Sequence, residues 1–428
     1  MRFELLHPAD QIAMIMERIY GYGMTTTSGG NISIMDENGD IWITPSGIDK
    51  GNLKPDDIVL VKSNGEIVGK HKPSVELPFH EMIYRSRPDI KAIIHAHSPA
   101  IMAFSLARKI PNTKLIPNVH LICGEVELVE YALPGSTALG QKIADAFKRG
   151  INTAVLANHG IVVGSENLFK AFMAFETLDF CAQLEIRARA IGNPKALRPK
   201  DIEISKAKQD VQMDEFIPKS YSSFEEESRK KMCELIYRAY EQRLFTSTQG
   251  TFSQRLNENS FIITPSMVDR KYIEIDDIVK IENGYKEAGK KPSSSILLHK
   301  YIYEKHPNIN AIVIARPPNI MAFAVTENEF NSRAVPETYI QLRNVKKIPF
   351  GSNFMQPEMT ADVFSKETLA VIVENDCVIV VGESLLDAFD KLEILEFTAK
   401  AIIDAKSLGD VVLISQKEIE EIEEAFKL

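Results

Sequence analysis

Cysteine is scarce: four residues in 428, Cys123, Cys181, Cys233 and Cys377, stand far apart with no C-x-x-C pair among them. That spacing argues against a disulfide framework or a thiolate zinc knuckle and fits a reducing compartment. Net positive charge is lacking too. Fifty Lys plus Arg stand against 59 Asp plus Glu, a formal net charge of -9, which argues against a phosphate-tracking nucleic-acid surface, so any anion must be held locally. No apolar run approaches the roughly 18 to 20 residues that cross a bilayer. The start, Met1-Arg2-Phe3-Glu4-Leu5-Leu6, lacks a basic region followed by an apolar stretch. The expectation is a cytoplasmic protein with neither a membrane nor a nucleic-acid partner.

What is present is ordinary core-forming chemistry, 44% apolar and 25% charged residues, and a length that suggests two or three domains at about 100 to 200 residues each. The chain is also written twice. Ile43-Thr44-Pro45-Ser46 recurs as Ile263-Thr264-Pro265-Ser266, Lys72-Pro73-Ser74 as Lys291-Pro292-Ser293, and His80 as His299. Ile101-Met102-Ala103-Phe104 recurs as Ile320-Met321-Ala322-Phe323, and Val162-Val163-Gly164 as Val380-Val381-Gly382, all at a near-constant offset. A repeat this long is a duplicated domain, not a solenoid unit. The expected organisation is one domain over 1–192, a linker over 193–222 carrying Pro194, Pro199 and Pro218, and a second domain over 223–428.

Each copy opens with an amphipathic helix, about Ala9 to Gly21 and Phe224 to Arg243, and closes with a long one, about Asn167 to Ile191 and Leu385 to Ala405. Strand-like segments lie between: Asn31 to Met35, Asp40 to Thr44, Ile58 to Val61, Ala92 to His95 and Thr153 to Ala157. Interspersed helices and strands predict layered α/β domains, each with a sheet covered by helices. Strand order is not legible at this level.

The histidines are distributed unequally. Of nine, His299 and His306 alone fall in the second copy. His95 and His97 close a strand at i and i+2, so alternation turns both rings to one face of the sheet. His159 ends another apolar strand, before Gly160, and could supply a third ligand. Three neutral imidazoles with an open position suit a catalytic divalent ion, with Glu76 as a carboxylate for the fourth place. Taken alone, H-x-H is more often core than ligand. The second copy sharpens the reading, because His95 and His97 become Ile314 and Arg316, and Glu76 becomes Ser295, while the apolar frame persists. His159 falls opposite Asn375 or Cys377, depending on where a gap is placed. His80, which recurs without the other ligands, reads as a structural hydrogen bonder.

Together, Ser28-Gly29-Gly30-Asn31-Ile32-Ser33, Ile43-Thr44-Pro45-Ser46-Gly47, Lys72-Pro73-Ser74-Val75-Glu76, His95-Ala96-His97 and Asn158-His159-Gly160 resemble the class II aldolase/adducin family in order and spacing. The resemblance is strong over about residues 8 to 192 and weak over 224 to 408. It implies two tandem α/β/α sandwich domains, each with a mixed central sheet, the second a degenerate copy without metal ligands. It implies one Zn2+, or another divalent transition metal, per chain, held by His95, His97 and His159, with Glu76 as acid/base. Gly30, Asn31, Ser46, Gly47 and Ser74 would line the anion pocket of a phosphorylated sugar. The implied reaction is cleavage or formation of a ketose 1-phosphate through a dihydroxyacetone phosphate enediolate. Sugar-phosphate epimerases, dehydratases and the non-enzymatic adducin head domains share the family.

Two departures stand out. Val75 takes the place of a second phosphate-binding serine, and Leu121 takes the place of the tyrosine that protonates the leaving alkoxide. Tyr339, one position away in the second copy, is the expected replacement from across an interface, with His120 as competitor. The resemblance further implies a homodimer of tandem chains forming a pseudo-fourfold ring.

Overall fold

The computed structural model describes residues 3–206 and 211–428. They form two compact units: a leading one containing Asn118–Gln183 and the described chain up to Thr113, and a trailing one of Lys114–Pro117 and Leu184–Leu428. The closing helix of the first copy, Leu168–Ile191, therefore passes from one unit into the other.

The leading unit is built on eight strands: β1 (Asn31–Met35), β2 (Ile41–Ile43), β3 (Val59–Val61), β4 (Ile67–Val68), β5 (Ala92–Ala96), β6 (Val126–Val129), β7 (Thr153–Leu156) and β8 (Gly160–Ser165). Their order is β4-β3-β2-β1-β5-β8-β7-β6. All neighbours are antiparallel except β6 and β7, so the sheet is mixed, as expected. Central β5 is buried along its whole length, which requires cover on both faces. On one face Phe79 and Ile83 of the helix Leu77–Ser86, with Ile143 and Phe147 of Thr137–Lys148, pack on Ile43, Val59, Ile93 and Val162. The other face receives the helix Pro8–Gly21, whose N-cap His7 packs in a T-shaped contact with Trp42, ring centroids 4.6 Å apart, on the face opposite to Ile41 and Ile43.

The trailing unit repeats this plan with β9 (Glu215–Phe216), β10 (Thr251–Asn257), β11 (Ser260–Ile263), β12 (Val279–Glu282), β13 (Tyr285–Glu287), β14 (Ala311–Ala315), β15 (Val345–Ile348), β16 (Ala370–Val373) and β17 (Cys377–Gly382). The order is β15-β16-β17-β14-β10-β11-β12-β13-β9. Strand β9 comes from the segment between the copies and adds a parallel edge to β13. That segment also holds the short helix Pro199–Lys206. No helix among the described residues is long and apolar enough to cross a membrane.

Candidate metal centre

The centre forms where β5 ends beside β1 and β8. His95 is paired with Asn31 on one side and Val162 on the other, and its ring is wholly buried. His97 follows one residue beyond the strand. His159 sits in the tight turn between β7 and β8, where Asn158 adopts a left-handed backbone with φ 56°. Gly160, at φ 154°, then lets the chain pass against β5, since a β-carbon there would lie 2.5 Å from the Ala96 carbonyl oxygen. Gly30 is required in the same way, 2.6 Å from the His95 carbonyl oxygen.

These turns bring the three rings together, with centroids 4.7 Å apart for His95 and His97, 4.8 Å for His95 and His159, and 5.4 Å for His97 and His159. One potential ligand atom from each lies within 4.8 Å of the others, the one such group among the described residues. Nδ1 of His95 contacts the Ile161 carbonyl at 2.9 Å and so carries the proton, which leaves Nε2 with a lone pair. That Nε2 lies 2.9 Å from His97 Nε2 and 3.2 Å from Glu76 Oε2. Glu76 Oε1 is 3.3 Å from His159 Nε2, and it is a buried oxygen without a hydrogen-bond partner. Burial pushes the His95 pKa down to about 3 and lowers that of His97, so both rings are neutral near pH 7. Burial alone would raise the Glu76 carboxyl, but attraction to the His95 and His159 rings whenever one is protonated, together with the Asn31 amide donor, holds it well below the usual carboxylate range. Neutral imidazoles around an ionised carboxylate, one oxygen of which lacks a donor, fit a divalent cation.

Of the residues expected to line an anion pocket, Ser74 and Asn31 touch Glu76. The Ser46 amide donates to the Lys72 carbonyl at 2.9 Å and the Ser74 amide to Thr44 at 3.2 Å, while Gly47 holds φ 71°. Ser74 Oγ accepts from the Glu76 amide at 3.3 Å, and Asn31 Nδ2 donates to Glu76 Oε2 at 2.7 Å. Tyr339 lies in the trailing unit on Pro336–Leu342, where its hydroxyl donates to Glu423 at 2.6 Å. That bond raises its pKa. In the leading unit Leu121 is exposed, and His120 Nδ1 is 3.3 Å from Thr113 Oγ1.

The trailing unit corrects one expectation. The turns closed by Leu156 with Gly160 and by Val373 with Cys377 have the same length, so the residue opposite His159 is Asp376, neither Asn375 nor Cys377. Ile93 pairs with Gly164 whereas Ile312 pairs with Val381; runs of valine hide this one-residue slip from sequence matching. Arg316, at the position of His97, directs Nη2 to Asp376 Oδ1 at 2.8 Å and Nε to the Asp376 carbonyl at 2.7 Å. Asn353 donates to the other carboxylate oxygen at 2.8 Å. A guanidinium and a carboxylate thus stand where two imidazoles converge in the first copy. Sequence reading also misses Ser33 and Tyr84 around His80, although their recurrence as Ser253 and Tyr303 is a usable signal.

A family model described as the Class II Aldolase and Adducin N-terminal domain matches residues 10–186 and again 230–403. The chain belongs to this family. Among its relatives, the 5-deoxy-D-ribulose 1-phosphate aldolase of Bacillus thuringiensis serovar kurstaki is 35% identical over 205 residues, 45% of this chain and 91% of that protein. The 3-oxo-tetronate 4-phosphate decarboxylase of Escherichia coli strain K12 is 34% identical over 179 residues, 41% of this chain and 84% of that protein. The L-fuculose phosphate aldolase of Methanococcus maripaludis is 35% identical over 171 residues, 40% of this chain and 91% of that protein.

Proposed function

We propose that the leading domain is a zinc-dependent lyase centre that cleaves or forms a ketose 1-phosphate, yielding dihydroxyacetone phosphate and an aldehyde. The observation that carries this reading is the convergence of His95, His97 and His159 on the Glu76 carboxylate. A divalent ion held by the three imidazoles would supply Lewis-acid polarisation of the substrate carbonyl. Glu76, displaced towards the substrate, would take or return the proton at the carbon whose bond to its neighbour is made or broken. Ser46, Gly47, Ser74, Gly30 and Asn31 would hold the phosphate through hydroxyl, amide and backbone N–H donors, which need no bulk positive charge. Tyr339 would protonate the leaving alkoxide from a neighbouring domain, exchanging its Glu423 partner to do so. The buried thiols of Cys123, Cys181 and Cys377 are compatible with the cytoplasm.

A second reading is decarboxylation of a 3-oxo sugar-acid phosphate. It is favoured by Leu121, because loss of carbon dioxide requires no acid at the position of the family tyrosine, and by the relatives that carry that activity. The two separate in one assay. Metal-loaded protein is incubated with ketose 1-phosphates and with 3-oxo-tetronate 4-phosphate while dihydroxyacetone phosphate and carbon dioxide are measured. The expected result is dihydroxyacetone phosphate from a ketose 1-phosphate, with no bound metal in His97→Ala and turnover lowered about 10²- to 10⁴-fold in Glu76→Gln with metal retained. Tyr339→Phe should lose turnover at unchanged metal content. Carbon dioxide released from 3-oxo-tetronate 4-phosphate together with its co-product dihydroxyacetone phosphate, with no product from any ketose 1-phosphate, would favour the second reading, and no product from either substrate class would refute both.

A further inference from the structure

Glu76 ends a buried chain of polar side chains. Its Oε2 accepts from Asn31 Nδ2 at 2.7 Å. The Asn31 oxygen lies 2.5 Å from His80 Nε2, His80 Nδ1 lies 2.7 Å from Ser33 Oγ, and that hydroxyl lies 2.7 Å from Tyr84 Oη. All five residues are buried. The carboxylate dictates the direction of every bond. An ionised carboxylate only accepts, so Asn31 turns its NH2 towards Glu76 and its oxygen towards His80. His80 must then donate from Nε2 and accept at Nδ1 from Ser33, whose oxygen accepts from Tyr84. One proton arrangement satisfies the whole chain.

The trailing unit is an internal control. Ser253, His299 and Tyr303 repeat the inner contacts at 2.6 and 2.7 Å. Thr251 occupies the register position of Asn31, pairing with Ile314 as Asn31 pairs with His95, and Ser295 replaces Glu76. Thr251 turns to Ser293 at 2.8 Å, and His299 Nε2 is left buried without a partner. The Ser–His–Tyr contact therefore persists where the centre is absent, whereas the asparagine link occurs together with the carboxylate. As N-cap of Leu77–Ser86, the Glu76 side chain makes no capping bond.

We infer that Asn31, itself oriented by His80, is a positioning residue that holds the Glu76 carboxylate facing the three imidazoles. This rests on the reading of Glu76 as the acid/base, and it gives Asn31 a task separate from contact with a substrate anion. A carboxylate that must meet both an ion and a substrate proton loses rate when its rotamer is released, and outer partners of this kind are worth about 10- to 100-fold.

The test uses the full chain with Asn31→Thr, which borrows the residue of the second copy, and with His80→Gln and His80→Leu. Turnover of Asn31→Thr should fall about 10- to 100-fold with bound metal little changed, over and above any rise in KM from a lost phosphate contact. His80→Gln, which keeps a donor where Nε2 stands, should retain most turnover, whereas His80→Leu should not. A raised KM at unchanged kcat in Asn31→Thr would make it an anion contact only and overturn the inference, as would equal turnover in the two His80 variants. Crystal structures of wild type and Asn31→Thr supply a readout independent of the reaction. If wild type turns over neither substrate class, the functional reading fails, but rotation of Glu76 away from His95 and His159 in the variant would still sustain the positioning role. An unmoved carboxylate would end it.

Discussion

Gly160 has no room for a side chain: the Ala96 carbonyl oxygen is 2.5 Å and His97 Cδ2 2.7 Å from where a β-carbon would stand. Gly160→Ala must therefore push β8 away from β5 or twist the turn that carries His159. The expected outcome is a destabilisation of about 1–3 kcal/mol together with weakened metal binding, read by thermal melting and by chelator competition. A variant that binds metal like wild type would show that the turn has slack. The same scale explains the second copy. Arg316 and Asp376 pair at 2.8 Å, so a guanidinium and a carboxylate occupy the corresponding space in that unit.

At the scale of elements, the closing helix Leu385–Ala405 brings Glu396 to the first turn of Pro318–Ala324. There its carboxylate accepts from the Asn319 amide at 3.0 Å, the Asn319 side chain at 2.6 Å and the Ile320 amide at 2.8 Å. Burial outweighs these donors and pushes its pKa up from 4.5 to about 7. The folded chain thus binds this proton more tightly than the unfolded one. The resulting stabilisation is complete below the unfolded value near 4.5 and is lost as pH rises through about 7. Glu396→Gln should flatten that loss by an amount on the order of 3 kcal/mol between pH 5 and pH 8, visible in paired denaturant titrations. Parallel pH profiles for the two proteins would contradict it. Elements themselves are largely legible in the sequence: the spacing of apolar residues predicts a helix from about Leu385 to Ala405, and the helix runs over those residues. The strand expected over Asp40 to Thr44 contracts to Ile41–Ile43, because beyond it Thr44 turns to bond Ile32 and the Pro45 loop pairs with Pro73. Such trimming depends on neighbouring strands and has no local signal.

For the whole molecule, two copies of one fold with one set of imidazoles lead to a stoichiometric expectation. Elemental analysis should find one divalent ion per chain, and the native mass should be that of two chains, the arrangement proposed for a pseudo-fourfold ring. Two ions per chain, or a stable monomer, would remove that proposal. Sequence alone determined the duplication, the α/β layering and the residues of the first copy that could hold an ion, because repeats and periodicity are properties of neighbours along the chain. Only the tertiary structure decided the strand order, the place of Asp376 and the contact between Asn31 and Glu76. Those depend on register and on which buried polar atoms meet, and a one-residue slip, invisible in a run of valines, changes the partner of every side chain it carries.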